Sequence, residues 1–347
     1  MEGQPVQHPF NASWLPVPSV EEVRLHTISV LRKCPCLWQI KICRTILRGD
    51  QDIISIARTG AGKTLTFRTP SLFRPNGIQI IVIPLNILGQ QNIDTLAKAG
   101  VKGIFISAKT ATKRNFEVSY YEYHLWLFDE DVLLQDIASF KYCVVVINPE
   151  ELMQPEGGFQ ALLKNQHFTD TIISFIINEA HCLTQWGSFC PNYCHVGSLR
   201  HVQRSPCPII ATSATLTPTV ITDIKKTLAL DKEQLFLSKI SINQPNINIA
   251  VRPMLNTHTS FHDLNFLLHG WTPGGSLPPK FLVFFDSIPE SIQAGLHLHS
   301  LLPPEYCDCI KWFNSEMSDR FKVQEAEKLL KGKIWGLMTT DSFGMVC

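Results

Sequence analysis

IISIARTGAGKT, residues 53–64, decides the fold. Its first five residues form an almost wholly apolar run without alternation, which fits a strand buried on both faces. A glycine-rich turn follows, and Lys63-Thr64 open a helix-like segment. Strand, glycine-rich loop, Lys-Thr and helix in this order match the phosphate-loop pattern, with Ala57 in place of the usual first glycine. Gly60 and Gly62 let the backbone N–H groups of the turn, Thr59 and Ala61 included, point into a phosphate cradle. Lys63 brings a point charge to the β- and γ-phosphates, and Thr64 offers a hydroxyl to Mg²⁺. The expectation is an ATP site with Mg²⁺ as its metal; a bare glycine-rich turn is the plainer alternative.

Working outward, further apolar runs read as buried strands: QIIVIP (79–84), GIFIS (103–107), CVVVIN (143–148), TIISFII (171–177) and PIIATS (208–213). Helix signals lie between them. SVEEVRLHTISVLRK (19–33) carries a capping box in Ser19 and Glu22, and NILGQQNIDTLAKAG (86–100) closes on Gly100 as a C-cap. Alternating strands and helices predict an α/β fold with a mostly parallel sheet. SINQPNINIAVRP (241–253) has the Asn and Pro content of a boundary, and a second α/β series follows with FLVFFDS (281–287), SIPESIQAGLHLHSLL (287–302) and KIWGLMTT (333–340). The expected organisation is an extension over 1–24, an ATP-binding domain over 25–244 and a partial second domain over 245–347.

Composition narrows the setting. With 45% hydrophobic and 18% charged residues and a net charge of +1, nothing chain-wide announces nucleic acid or an anionic membrane. Eleven scattered cysteines without a C-x-x-C pair fit a reduced intracellular protein and give no seed for structural zinc. MEGQPVQHPF at the N-terminus lacks the features of a signal peptide, and no apolar run approaches the roughly 18 residues of a membrane span. A soluble protein with no membrane partner is expected.

Two further motifs sit at strand ends. NEAH (178–181) follows TIISFII, where a phosphate-loop ATPase holds one acid over the metal and a second beside the attacking water. Glu179 suits the second role. Asn178 keeps an oxygen for metal-bound water but lacks the charge, and losing a charge-assisted bond of about 1.5–3 kcal/mol predicts turnover roughly ten- to hundredfold lower. The plainer reading makes Asn178 an ordinary strand-end residue. TSAT (212–215) after PIIATS reads alone as turn chemistry.

The order ARTGAGKT, PLNILGQQ, NPEELM, NEAH and TSAT resembles motifs I, Ia, Ib, II and III of superfamily 2 helicases. HCLTQWGSFCPNY (181–193) is similar to the aromatic-rich loop of the RecQ DNA helicases, and NQPNI, VRP, FLVFFDS and TTDSFGMV continue the likeness to about motif V. The resemblance implies two RecA-like domains, the second incomplete, and an ATP-driven 3′–5′ DNA helicase acting on single-stranded or partly duplex DNA, in the nucleus by analogy. It implies that Gln39 in LWQIKI reads adenine, Lys63 and Thr64 serve phosphate and Mg²⁺, and Glu179 is the general base. It further implies that His181, Gln185, Ser213 and Thr215 couple nucleotide to DNA and that Trp186, Phe189 and Tyr193 sense the single strand, where bases stack on aromatic faces. Without the flanking motifs those aromatics would read as core.

This sequence departs from the pattern in three places. The box reads NEAH where the family has DEAH; the aromatic-rich loop is one residue shorter, with Cys190 in place of an arginine; and the sequence ends at Cys347 before motif VI, whose transition-state arginine is worth roughly 10³–10⁵ in rate. The expectation is therefore impaired catalysis and inefficient strand separation. The alternative is a degenerate relative that binds ATP and nucleic acid without efficient turnover. An RNA helicase of the DEAD-box kind is disfavoured by TQWG and NQPN.

Overall fold

Buried apolar runs set the architecture. The computed structural model describes residues 16–347 except 85, 99, 108–136, 138–140, 156, 186–194, 203–206, 231–233, 341–342 and 344–347. Two compact units divide the chain, Met1–Gln244 and Pro245–Cys347.

In the first unit, helices α1 (Val20–Leu31) and α2 (Leu37–Arg48) precede strand β1 (Asp52–Ile56) and helix α3 (Lys63–Arg68). Then come β2 (Ile78–Val82), α4 (Asn86–Lys98), β3 (Gly103–Ile106), β4 (Val144–Ile147), α5 (Pro149–Met153), α6 (Gly158–Lys164) and α7 (Gln166–Thr169). β5 (Ile172–Asn178), α8 (Cys182–Gln185), β6 (Ile209–Ser213), α9 (Pro218–Thr227) and β7 (Leu235–Lys239) complete it. The seven strands form one sheet in the order β3-β4-β2-β5-β6-β1-β7, and every pairing is parallel.

Because side chains alternate across a strand, each apolar run serves both faces. Ile54, Ile56, Ile80, Val145, Phe175 and Ile177 pack on one face with Leu152, Phe159 and Leu163 of α5 and α6. Ile53, Ile81, Val146, Ile176 and Ile210 pack on the other with Ile42, Ile46 and Phe67 of α2 and α3. Three layers result, helices over both faces of a parallel sheet, as the uninterrupted runs require. Asp52 anchors the register at the other end of the sheet from the glycine-rich loop. Its carboxylate accepts from the Ile209 N–H (3.0 Å) and pairs with Arg200 at 2.6 Å, tying the start of β1 to that of β6.

Local signals also hold. Ser19 accepts from the Glu22 N–H and the Glu22 side chain accepts from the Ser19 N–H, a reciprocal cap for α1. Gly100 adopts φ +70° after α4. All six strands expected in this unit are present; β7 was not anticipated. It is an edge strand whose LFLSK pattern is half exposed, so it lacks the apolar continuity of its neighbours.

The second unit contains β8 (Phe281–Phe284), α10 (Ile288–Ser300), β9 (Ile310–Phe313), α11 (Asp319–Leu330) and β10 (Gly336–Thr339). Its parallel sheet has the order β8-β10-β9. Ala294 and Leu298 of α10 pack with Trp335 and Met338, and Leu329 of α11 packs with Phe313 and Leu337. β9, sequence IKWF, escaped notice because its lysine interrupts the apolar run.

Candidate nucleotide site at the strand ends

The glycine-rich loop leaves the C-terminal end of β1, the end where ligands bind in open parallel sheets. The Ala57 N–H donates to the Ser213 carbonyl (3.2 Å), so the loop starts tied to the end of β6. Gly60 and Gly62 lie at φ +79° and +84°, a conformation that side chains resist. The two differ in surroundings: a Cβ on Gly60 would meet nothing within 4 Å, whereas one on Gly62 would sit 2.8 Å from Gln39 Nε2.

Gln39, on α2 and buried, closes on this loop. Its Nε2 donates to the Gly62 carbonyl (3.0 Å) and the Ala61 carbonyl (3.4 Å), while its Oε1 accepts from the Cys36 N–H (2.7 Å). Gly62→Ala should therefore cost about 1–3 kcal/mol from backbone strain plus collision with Gln39, and Gly60→Ala only the strain. Urea denaturation of the two variants checks the difference, with the larger loss expected at Gly62.

Lys63 opens α3, and its Nζ donates to the Ala57 carbonyl at 2.9 Å. Burial pulls its pKa below the ordinary lysine value, and the Glu179 carboxylate pushes back up. Glu179 follows the end of β5 at φ +50°, a left-handed conformation rare outside glycine. The backbone turns sharply here, with the Ala180 N–H donating to the Thr212 carbonyl at 2.9 Å.

Three side chains meet at that turn. Glu179 Oε2 lies 3.3 Å from His181 Nδ1 and accepts from Ser213 Oγ at 3.5 Å, and His181 Nδ1 lies 2.8 Å from Ser213 Oγ. The Thr215 N–H donates to Ser213 Oγ at 3.3 Å. Burial pushes the Glu179 carboxyl up, but the His181 hydrogen bond, the charges of Lys63 and His181 and the Ser213 hydroxyl together carry it below its ordinary value. Glu179 is an ionised, hydrogen-bonded carboxylate at neutral pH, able to accept a proton.

The ends of β1, β5 and β6 thus gather Gln39, Ala61, Gly62, Lys63, Glu179, His181, Ser213 and Thr215. Thr59 and Gly60 are exposed on the loop and Thr64 is half-buried in the first turn of α3. Asn178 ends β5 opposite Thr212 and is half-buried. The Gln185 side chain, Trp186, Phe189 and Tyr193 lie outside the described residues. The Cys36 N–H and the Ala57 carbonyl, which hold Gln39 and Lys63, were not anticipated; backbone groups leave no mark in the sequence.

Among the described residues no group of three or more His, Cys, Asp or Glu could hold a metal ion. Thr64, in the first turn of α3, and Asn178, at the end of β5, carry a hydroxyl and an amide oxygen, hard donors of the kind Mg²⁺ takes beside water and phosphate. No helix of the described residues is long and apolar enough to cross a membrane.

The DEAD/DEAH box helicase family model matches residues 37–224, more than half of the chain and every element of the strand-end cluster, and the chain belongs to that family. Within it the curated relatives include RecQ-type DNA helicases: the chain is 29% identical over 212 residues to the RecQ-like DNA helicase blm-1 of Caenorhabditis elegans, covering 59% of this chain and 20% of that one. The chain spans well under half the length of the curated relatives it matches. Among solved structures, the DUF1998 helicase MrfA bound to DNA aligns with a TM-score of 0.66 at 15% identity, over 98% of this chain and 45% of that one. Dbp5 of S. cerevisiae bound to RNA and ADP BeF3 aligns with a TM-score of 0.56 at 14% identity, over 92% and 74%. These likenesses carry the fold, and the α/β architecture is that of RecA-like helicase domains.

Proposed function

We propose that this chain is an ATP-dependent DNA helicase of RecQ type, moving 3′ to 5′ on a single strand, with chemistry slowed by Asn178. The observation that carries the reading is the Lys63, Glu179, His181 and Ser213 cluster assembled beside a phosphate loop. The curated RecQ relatives, and solved helicases bound to DNA or to nucleotide, support it.

Each residue then has a task. The loop from Thr59 to Gly62 wraps the phosphates, and Lys63 leaves the Ala57 carbonyl to meet their charge. Thr64 and, through water, Asn178 would hold Mg²⁺, which supplies charge neutralisation at the β- and γ-phosphates. Glu179 takes the proton of the attacking water, held ionised and oriented by His181 and Ser213. Through Ser213 and Thr215 the carboxylate is linked to the loop after β6, a short hydrogen-bonded path from nucleotide chemistry to the end of TSAT. Gln39 meets adenine by exchanging one of its two loop contacts for the base. Gln185, Trp186, Phe189 and Tyr193 contact the single strand.

Unwinding of a duplex with a 3′ single-stranded tail, set beside the same duplex with a 5′ tail, tests the polarity. ATP-dependent separation of the 3′-tailed substrate alone is expected; equal separation of both, or preference for the 5′ tail, would overturn it. Asn178 favours a second reading, a protein that binds ATP and nucleic acid without efficient turnover. ATP binding without hydrolysis, unchanged by single-stranded DNA or RNA, would select that reading.

A further inference from the structure

The His181 ring carries two nitrogens with different neighbours. Nδ1 faces Ser213 Oγ at 2.8 Å and Glu179 Oε2 at 3.3 Å, whereas Nε2 lies 3.6 Å from Cys182 Sγ. A neutral imidazole has one N–H, so only one of these sides receives a proton from the ring.

Counting hydrogens decides which side serves Glu179. The Ser213 hydroxyl has a single hydrogen, and His181 Nδ1, Glu179 Oε2 (3.5 Å) and the Thr215 carbonyl (3.4 Å) all lie within its reach. With the ring proton on Nε2, bare Nδ1 takes that hydrogen, because it is the nearest of these acceptors. Glu179 then faces a nitrogen lone pair and receives no hydrogen from either neighbour. With the proton on Nδ1, the ring donates toward Ser213 and Glu179, and the Ser213 hydroxyl is released to donate to the carboxylate. Only the Nδ1–H form gives Glu179 both hydrogen bonds.

That form leaves Nε2 bare, an acceptor whose neighbour is the Cys182 thiol. The chain's turn puts it there. After the left-handed backbone at Glu179, the Cys182 N–H donates to the Glu179 carbonyl at 2.9 Å, and Cys182 becomes the first residue of α8. Its side chain is 2% exposed, in the buried cluster that includes Ala180 and Leu183. A thiol rotates about its Cβ–Sγ bond, so its hydrogen can turn to Nε2.

We infer that Cys182 is a positioning residue: its S–H donates to His181 Nε2, holds the ring as the Nδ1–H tautomer and so keeps Glu179 hydrogen-bonded and aimed. The benefit to catalysis rests on the role proposed above for Glu179; the tautomer itself does not.

The ring nitrogens of ¹⁵N-histidine-labelled protein report the tautomer at about pH 8, where an imidazole is ordinarily neutral, because protonated and bare nitrogens resonate far apart. His181→Gln identifies the His181 signals among the twelve histidines. The parent should carry its proton on Nδ1. Cys182→Ala should lower the preference for Nδ1–H by roughly two- to tenfold, the worth of one neutral hydrogen bond, and single-strand-stimulated ATP hydrolysis by a similar factor. Cys182→Ser keeps a donor on the same Cβ and should restore both. Thermal melting confirms that each variant is folded. A parent protonated on Nε2, a tautomer unchanged by Cys182→Ala, or one that serine fails to restore overturns the inference. A ring that responds as expected in a chain without ATP hydrolysis upholds the inference and overturns the proposed function instead.

Discussion

Lys63→Ala lowers single-strand-stimulated ATP hydrolysis by about 10²–10³-fold, the loss expected when one preorganised cation or donor is removed from the developing charge. The lysine is the first residue of α3, and the geometry gives it no task in holding the fold. Among the described residues its Nζ donates to the Ala57 carbonyl alone, and burial already opposes its charge. Removing it therefore leaves stability within about 1 kcal/mol of the parent, since the lost hydrogen bond and the relieved desolvation offset one another. Urea denaturation checks that half of the prediction and steady-state turnover the other. A large loss of stability together with activity would make Lys63 a structural residue.

Asn178→Asp raises turnover roughly ten- to hundredfold, the converse of the charge-assisted bond that asparagine forgoes. The gain has an electrostatic cost. Glu179 is already ionised, held so against burial by His181, Lys63 and Ser213, and a second carboxylate one residue away repels it. Without a cation the variant should melt below the parent, and added Mg²⁺ should recover the difference, because binding to the folded state alone stabilises it. The parent should respond to Mg²⁺ much less. Turnover that stays at the parent's level would show that Asn178 does not set the rate, and a melting temperature indifferent to Mg²⁺ would remove the metal from this position.

The sheet was legible because a parallel strand covered on both faces must be apolar throughout, and VVVI of β4 or IISFII of β5 has few other uses. The edges were not. β7 and β9 bury only part of their surface and admit Lys239 and Lys311, so their runs are broken where the physics no longer demands continuity. The candidate site divides in the same way. Lys63 and Glu179 could be read as types at strand ends, since phosphate charge and a water-activating base need those side chains. The Gln39 clamp could not, because residues 23 positions apart meet through backbone carbonyls that any sequence would supply. Ser213 was placed by its likeness to a motif, and its hydrogen bonds to both His181 and Glu179 supply a physical reason for that position.

The most direct test of the strand-end cluster as a catalytic ATP site is turnover by the parent chain with Mg²⁺, with and without single-stranded DNA, beside Lys63→Ala. Slow hydrolysis that the single strand raises and that Lys63→Ala reduces to background is the expected result. A parent indistinguishable from Lys63→Ala, under both conditions, would contradict catalysis at this site.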